Sequence, residues 1–137
     1  MNTGLVVHNK SEKGWFVGWP IEKKLYQIKV KNTSLEKIIA ENDILPVDFL
    51  NIDAQGCDLD VVKSAGKYLK DIRFIQIEAV SSHDLDVVLY SGQQLMEQDI
   101  EDMDKLGFSV LKIVDYSAKA SPEADILFYN RSLVSLL

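Results

Sequence analysis

The run Phe49-Leu50-Asn51-Ile52-Asp53, followed by Ala54-Gln55-Gly56-Cys57-Asp58-Leu59-Asp60, constrains this chain more than any other segment. An apolar strand ends on a carboxylate, a glycine follows three residues later, and an acidic, amphipathic helix starts at once. Apolar residues with little alternation mark a strand covered on both faces, as in parallel sheets. Asp53 therefore falls at the carboxyl end of a parallel strand, the edge where open α/β sheets bind ligands.

The flanking segments complete the pattern. The key strand is Val47 to Asp53. The helix after Gly56 is expected to bury Leu59, Val62, Ala65 and Leu69, which recur at helical intervals. Arg73 to Val80 supplies a second buried strand through Phe74-Ile75-Gln76-Ile77-Glu78. Strand, helix and strand in this length make a βαβ unit with a right-handed crossover. Upstream, Tyr26, Ile28 and Val30 alternate with Gln27, Lys29 and Lys31, the period of a half-buried strand within Leu25 to Lys31. Thr33 and Glu36 have capping-box spacing. Leu35, Ile38 and Ile39 give the helix that follows one apolar face, and Pro46 blocks its continuation. Downstream, a loop from Ser81 to Gly92 leads to a helix with the stripe Leu95, Met96, Ile100, Met103 and Leu106, whose methionines read as core. Gly107 suits its C-cap. Phe108 to Asp115 and Ala124 to Asn130 are two further strands, and their short polar connection implies antiparallel pairing. In residues 1–20, Leu5-Val6-Val7 and Trp15-Phe16-Val17 flank a turn-rich stretch, consistent with a hairpin. The two tryptophans there read as core or edge packing before a pocket wall.

Composition excludes several classes. A chain of 137 residues fits one domain, residues 1–137, and can bury roughly two-thirds of its unfolded surface. Its net charge of -6 argues against a nucleic-acid backbone as the main partner. No apolar run approaches the roughly 20 residues that span a bilayer, and the first residues lack a secretory pattern, so a cytoplasmic protein without a membrane partner is expected. Cys57 is the single cysteine. It reads as a small helix residue in a reducing compartment rather than a catalytic thiol.

The residues able to carry chemistry sit at strand ends. Asp53 and Gln55 follow the first core strand, Glu78 ends the next, and His83 lies in the loop beyond. On parallel neighbours these positions converge, giving carboxylates to orient or deprotonate an acceptor and an imidazole that titrates near neutrality. Asp53, Glu78 and His83 are the candidate catalytic residues. Against this stand blander readings: Asp53 caps the helix near Cys57, Glu78 ends in solvent, and His83 is a solvated loop residue. Asp99, Glu101, Asp102 and Asp104 read as a solvated helix face. An unrelated α/β domain using Asp53, Glu78 and His83 for a metal is a third reading, although no short, fixed ligand spacing supports it.

Several motifs resemble the FkbM family of S-adenosylmethionine-dependent methyltransferases. Asn51-Ile52-Asp53-Ala54-Gln55-Gly56-Cys57-Asp58 is similar to the family's Lys-Ile-Asp-Val-Glu-Gly-Ala-Glu. Val30-Lys31-Asn32-Thr33-Ser34-Leu35-Glu36 resembles its Val-x-x-Thr-x-Leu-Asp, and Ile75-Gln76-Ile77-Glu78 its Val-x-x-Glu strand. Leu106-Gly107-Phe108 and Asp125-Ile126-Leu127-Phe128 resemble its closing elements. The matches keep the family's order from about Ile28 to Arg131. Asn51 replaces the family lysine and Gln55 the glutamate, which keeps shape but removes charge and proton-accepting ability.

The resemblance implies a partial Rossmann-like, class I methyltransferase-like α/β sheet, with parallel core strands, an antiparallel carboxyl-terminal strand pair and helices on the faces. It implies methyl transfer from S-adenosylmethionine to a hydroxyl of a sugar or small metabolite, with Asp53, Gln55 and Gly56 on the cofactor. The family's Gly-x-Gly-x-Gly turn has no counterpart here, so the chain reads as the carboxyl-terminal part of the domain. The strand ending at Asp53 would then expose an unpaired edge. The amino-terminal hairpin, a second copy in a homodimer, or a separately encoded amino-terminal half would cover it. A non-catalytic binding or structural module is the alternative function.

Overall fold

The computed structural model describes residues 32–81, 94–116 and 122–135. The expected hairpin in residues 1–20, the strand Leu25 to Lys31, and His83 with most of its loop lie outside the described residues.

Helix α1 spans Leu35–Asn42. Its N-cap is Ser34, not the expected Thr33: the Ser34 hydroxyl accepts from the Lys37 N–H at 3.2 Å. Two further orphan donors of the first turn find partners outside the helix. Leu35 N–H donates to Ser64 Oγ and Glu36 N–H to the Ser64 carbonyl, each at 3.0 Å. These bonds satisfy the helix start and dock α1 on the segment after the second helix. The helix ends ahead of Pro46, where Asp43 takes a left-handed φ of 54°.

Strand β1 (Val47–Asn51) leads through residues 52–57 into helix α2 (Asp58–Lys63), a 3₁₀ helix (Gly66–Asp71) and strand β2 (Ile72–Val80). The sequence suggested one helix through Leu69. The chain instead breaks at Gly66, whose φ is +54°, a conformation that L side chains rarely adopt. Leu59, Val62 and Ala65 are buried as expected, and Leu69 packs against the same core from the 3₁₀ segment. Helix α3 (Met96–Lys105), strand β3 (Phe108–Asp115) and strand β4 (Glu123–Asn130) follow. Gly107, at φ +94°, makes the turn out of α3.

The four strands form a mixed sheet in the order β1-β2-β4-β3. The pair β1 and β2 is parallel, and β4 runs antiparallel to both β2 and β3. The strand, helix and parallel strand expected from the sequence are therefore present, as is the antiparallel pairing of the last two strands. One face of the sheet is dry. Ile75, Ile77 and Ala79 of β2 stand opposite Phe128, Ile126 and Ala124 of β4. They join Leu59 and Val62 of α2 and Met103 of α3 in one core cluster. Alternation sends Phe74, Gln76 and Glu78 to the other face, where they and their β4 partners Tyr129, Leu127 and Asp125 are half-buried. Strand β1 departs from its reading as a doubly covered strand. Among the described residues it is an edge, and Phe49 is 53% exposed.

Candidate functional site

The parallel register fixes the geometry of the site. Asn51 is level with Gln76, and the Ile52 N–H continues the ladder to the Gln76 carbonyl at 3.0 Å. Two residues further along each chain come Asp53 and Glu78. Both thus reach the carboxyl edge of the same strand pair. Glu78 does not end its strand, as the sequence suggested: β2 runs on to Val80, and Glu78 faces Asp125 of β4 across the ladder.

The turn after β1 is built by two successive left-handed residues, Gln55 at φ 52° and Gly56 at φ 91°. This folds Gln55 back so that its Nε2 donates to Asp53 Oδ1 at 2.6 Å. Asp53 is exposed and does not cap α2, whose N-cap Cys57 makes no side-chain cap bond. The anchoring carboxylate is instead Asp58, 4% exposed. Its Oδ2 accepts from the Ala54 N–H and its Oδ1 from the Glu78 N–H, both at 3.4 Å. One side chain thereby ties the start of α2 to the ends of both parallel strands.

The rim is strongly acidic, and its electrostatics follow from that. Burial pushes the Glu78 carboxyl up to about 7, helped by the negative charges of Glu123, Asp53, Asp58 and Asp125. Tyr116 donates its hydroxyl to Asp125 Oδ2 at 2.7 Å, and its own ionisation is pushed up by that bond. Burial raises the Asp58 carboxyl, against the backbone donors that favour its charged form. The Cys57 thiol is pushed up by burial and then by Asp60 and Asp58, which suppresses the thiolate and agrees with a non-catalytic cysteine.

Asp99 overturns the reading of the α3 acids as a uniformly solvated face. It is 7% exposed, while Glu101 and Asp104 face solvent. Burial pushes its carboxyl up to about 7, reinforced by Asp58 and Asp102 and opposed by Lys63. With Gly56, Asp58, Asp60, Glu78 and Gln94 it lines a cavity of about 40 Å³. Sequence spacing could have flagged Asp99, because it sits between Met96 and Met103 and next to Ile100 of the apolar stripe. Asp58 had no such signal beyond its place at the helix start.

A mixed sheet with a carboxylate rim at the ends of its parallel strands defines an α/β protein with an acidic, strand-end site. A model of the methyltransferase FkbM domain matches residues 6–110, more than half of the 137-residue chain, and the chain belongs to that family. The match begins upstream of Ile28 and stops before the Asp125-Ile126-Leu127-Phe128 element. No curated protein and no solved structure matches the chain. Among the described residues no group of three or more His, Cys, Asp or Glu is placed to hold a metal ion. No described helix is long and apolar enough to cross a membrane.

Proposed function

We propose that this chain serves methyl transfer from S-adenosylmethionine to a hydroxyl of a sugar or another small metabolite, on a Rossmann-like sheet. The observation that carries the reading is the register that brings Asp53 and Glu78 level at one edge in a chain of this family. The chemistry of the rim fits the donor, since exposed and half-buried carboxylates complement a sulfonium cation. When bound, that group supplies an electrophilic methyl. Asp53, with Gln55 and Gly56 beside it, orients donor or acceptor, and much of the rate comes from that positioning. Glu78, with its carboxyl near 7, takes the acceptor hydroxyl's proton at physiological pH. His83 is the second candidate base.

The cavity beside the rim, at about 40 Å³, takes a water-sized group and not an adenosine. This favours a partner in the donor site: a second copy of the chain, or a separately encoded amino-terminal half, seated on the outer edge of β1. A binding or structural module without catalysis is the second reading that the same cavity favours. We place the protein in the cytoplasm as a single domain.

Incubation of the full chain with radiolabelled S-adenosylmethionine and a panel of sugars tests the proposal, alone and after co-expression with candidate amino-terminal halves. Label transfer that Glu78→Gln abolishes is the expected result. Transfer undiminished in Glu78→Gln would remove Glu78 from the mechanism, and calorimetry showing no donor binding in any assembly would favour the non-catalytic module.

A further inference from the structure

The cavity between α2, β2 and α3 adjoins the rim and shares Glu78 with it. Asp58, Asp60, Glu78 and Asp99 line it, together with Gln94 and residues 56–57, and among the described residues no cation is in its lining. Asp58 is committed to two backbone N–H groups. Asp99 is different: it is 7% exposed, it lines the cavity, and its carboxylate accepts no hydrogen bond from the described residues. A buried carboxylate left without a donor is destabilising. Among the described residues Lys63 is the cation that acts on it, and its ammonium pairs with Asp102 Oδ2 at 3.6 Å.

We propose that this cavity is a binding site for a primary ammonium group, held by Asp99 and Asp58 with Asp60 at the mouth. The volume sets the size class. About 40 Å³ accommodates a group as large as a water molecule, so an –NH₃⁺ head enters while the remainder of its ligand stays outside. A trimethylammonium head is several times too large. An ammonium brings three donors to a site whose lining is dominated by carboxylate acceptors. A divalent metal fits less well, because the described carboxylates are not grouped for metal ligation.

The charged groups around Asp99 set the pH dependence. Asp58, Asp60 and Lys63 are on α2, Glu78 lies across the cavity on β2, and Asp102 is on its own helix. Burial first, then the charges of Asp58 and Asp102 against the single lysine, keep the carboxyl protonated to about pH 7. Binding an ammonium requires the charged form, so affinity rises from pH 6 to pH 8 and protons are released on binding.

The test is an NMR titration of the full, ¹⁵N-labelled chain in amine-free phosphate buffer with n-butylammonium. Two controls are run at equal concentration, n-butyltrimethylammonium and n-butanol. Saturable shifts of the Gly56, Asp58 and Glu78 amides are expected with butylammonium alone, severalfold weaker at pH 6 than at pH 8. Asp99→Asn should abolish them. Equal shifts from the trimethylated or neutral probe, or saturable binding that survives Asp99→Asn, would overturn the proposal. Should Asp99→Asn not fold, the side-chain carboxyl ¹³C resonance of Asp99 in the native sequence decides. Its titration midpoint falls when butylammonium is present, and an unmoved midpoint refutes the site. No methyl donor takes part, so the result is independent of methyl transfer.

Discussion

Replacing Asp99 by asparagine isolates the energetic consequence of a buried acid. The unfolded chain gives up this proton near the ordinary 3.8, and the native state gives it up near 7. Between those values the native state binds the extra proton, so its stability falls as pH rises from about 4 to about 7 and is level above that. At about 1.36 kcal/mol per pH unit, the full effect is on the order of 4 kcal/mol, and rearrangement or water entry would reduce it to roughly 2. Asparagine keeps the volume and never carries the charge. At pH 5, where the unfolded chain has already lost this proton, the variant should be ahead by only about 1–1.5 kcal/mol. At pH 8 Asp99→Asn should be more stable by about 2–4 kcal/mol. With roughly 2.1 cal/mol/K of unfolding entropy per residue over the 137-residue chain, that is a Tm increase of about 7–14 °C. Urea melts followed by circular dichroism at pH 5, 6, 7 and 8 give the comparison. A stability difference that is the same at every pH would refute the claim that folding carries this carboxyl in its neutral form.

Methyl transfer, once an acceptor is in hand, should rise with pH through about 7 and then level as Glu78 loses its proton, and Glu78→Gln should flatten that profile. Ser34→Ala should cost about 1 kcal/mol in urea melts, while Thr33→Ala should be near neutral, because Ser34 supplies the cap. Gly66→Ala should cost about 1–2 kcal/mol, chiefly from its left-handed φ, since the Glu36 side chain it meets is flexible and can move. If a partner seats on β1, Phe49→Lys should lower the mass seen by light scattering at micromolar concentration; an unchanged assembly would place the interface elsewhere.

The sheet was legible where sequence carries periodicity. Ile75 and Ile77, the Met103 stripe, and the alternation from Ala124 to Phe128 each show one face of an element, and these residues are core. The parallel β1–β2 pair followed from the length of the strand-helix-strand unit. What escaped depends on long-range contacts. Ser34 and Thr33 are both sound caps by residue type. Ser34 prevails in a helix start that also receives the Ser64 carbonyl and hydroxyl from far along the chain. The break at Gly66 leaves the helical spacing of Leu59, Val62 and Ala65 intact, so periodicity alone ran one helix on to Leu69. Asp99 was hidden for the opposite reason: three acidic neighbours in sequence made a solvated face the simplest reading, and only the tertiary packing of α3 buries one of the four.

Asp58 explains why these features belong together. Its carboxylate accepts N–H groups from Ala54 after β1 and Glu78 of β2, so it holds the two strand ends in the register that levels Asp53 with Glu78. The same negative charge acts on two other acids, raising Glu78 on β2 and Asp99 on α3. A neutral residue at this position would relax both carboxyls toward their ordinary range and release the strand ends together. Asp58→Asn therefore differs from the Asp99 exchange. It should lower the titration midpoints of Glu78 and Asp99 in parallel, read from their ¹³C resonances, while weakening the Glu78 amide against hydrogen exchange. A fall at only one of the two acids would mean that the rim and the cavity are not coupled through Asp58.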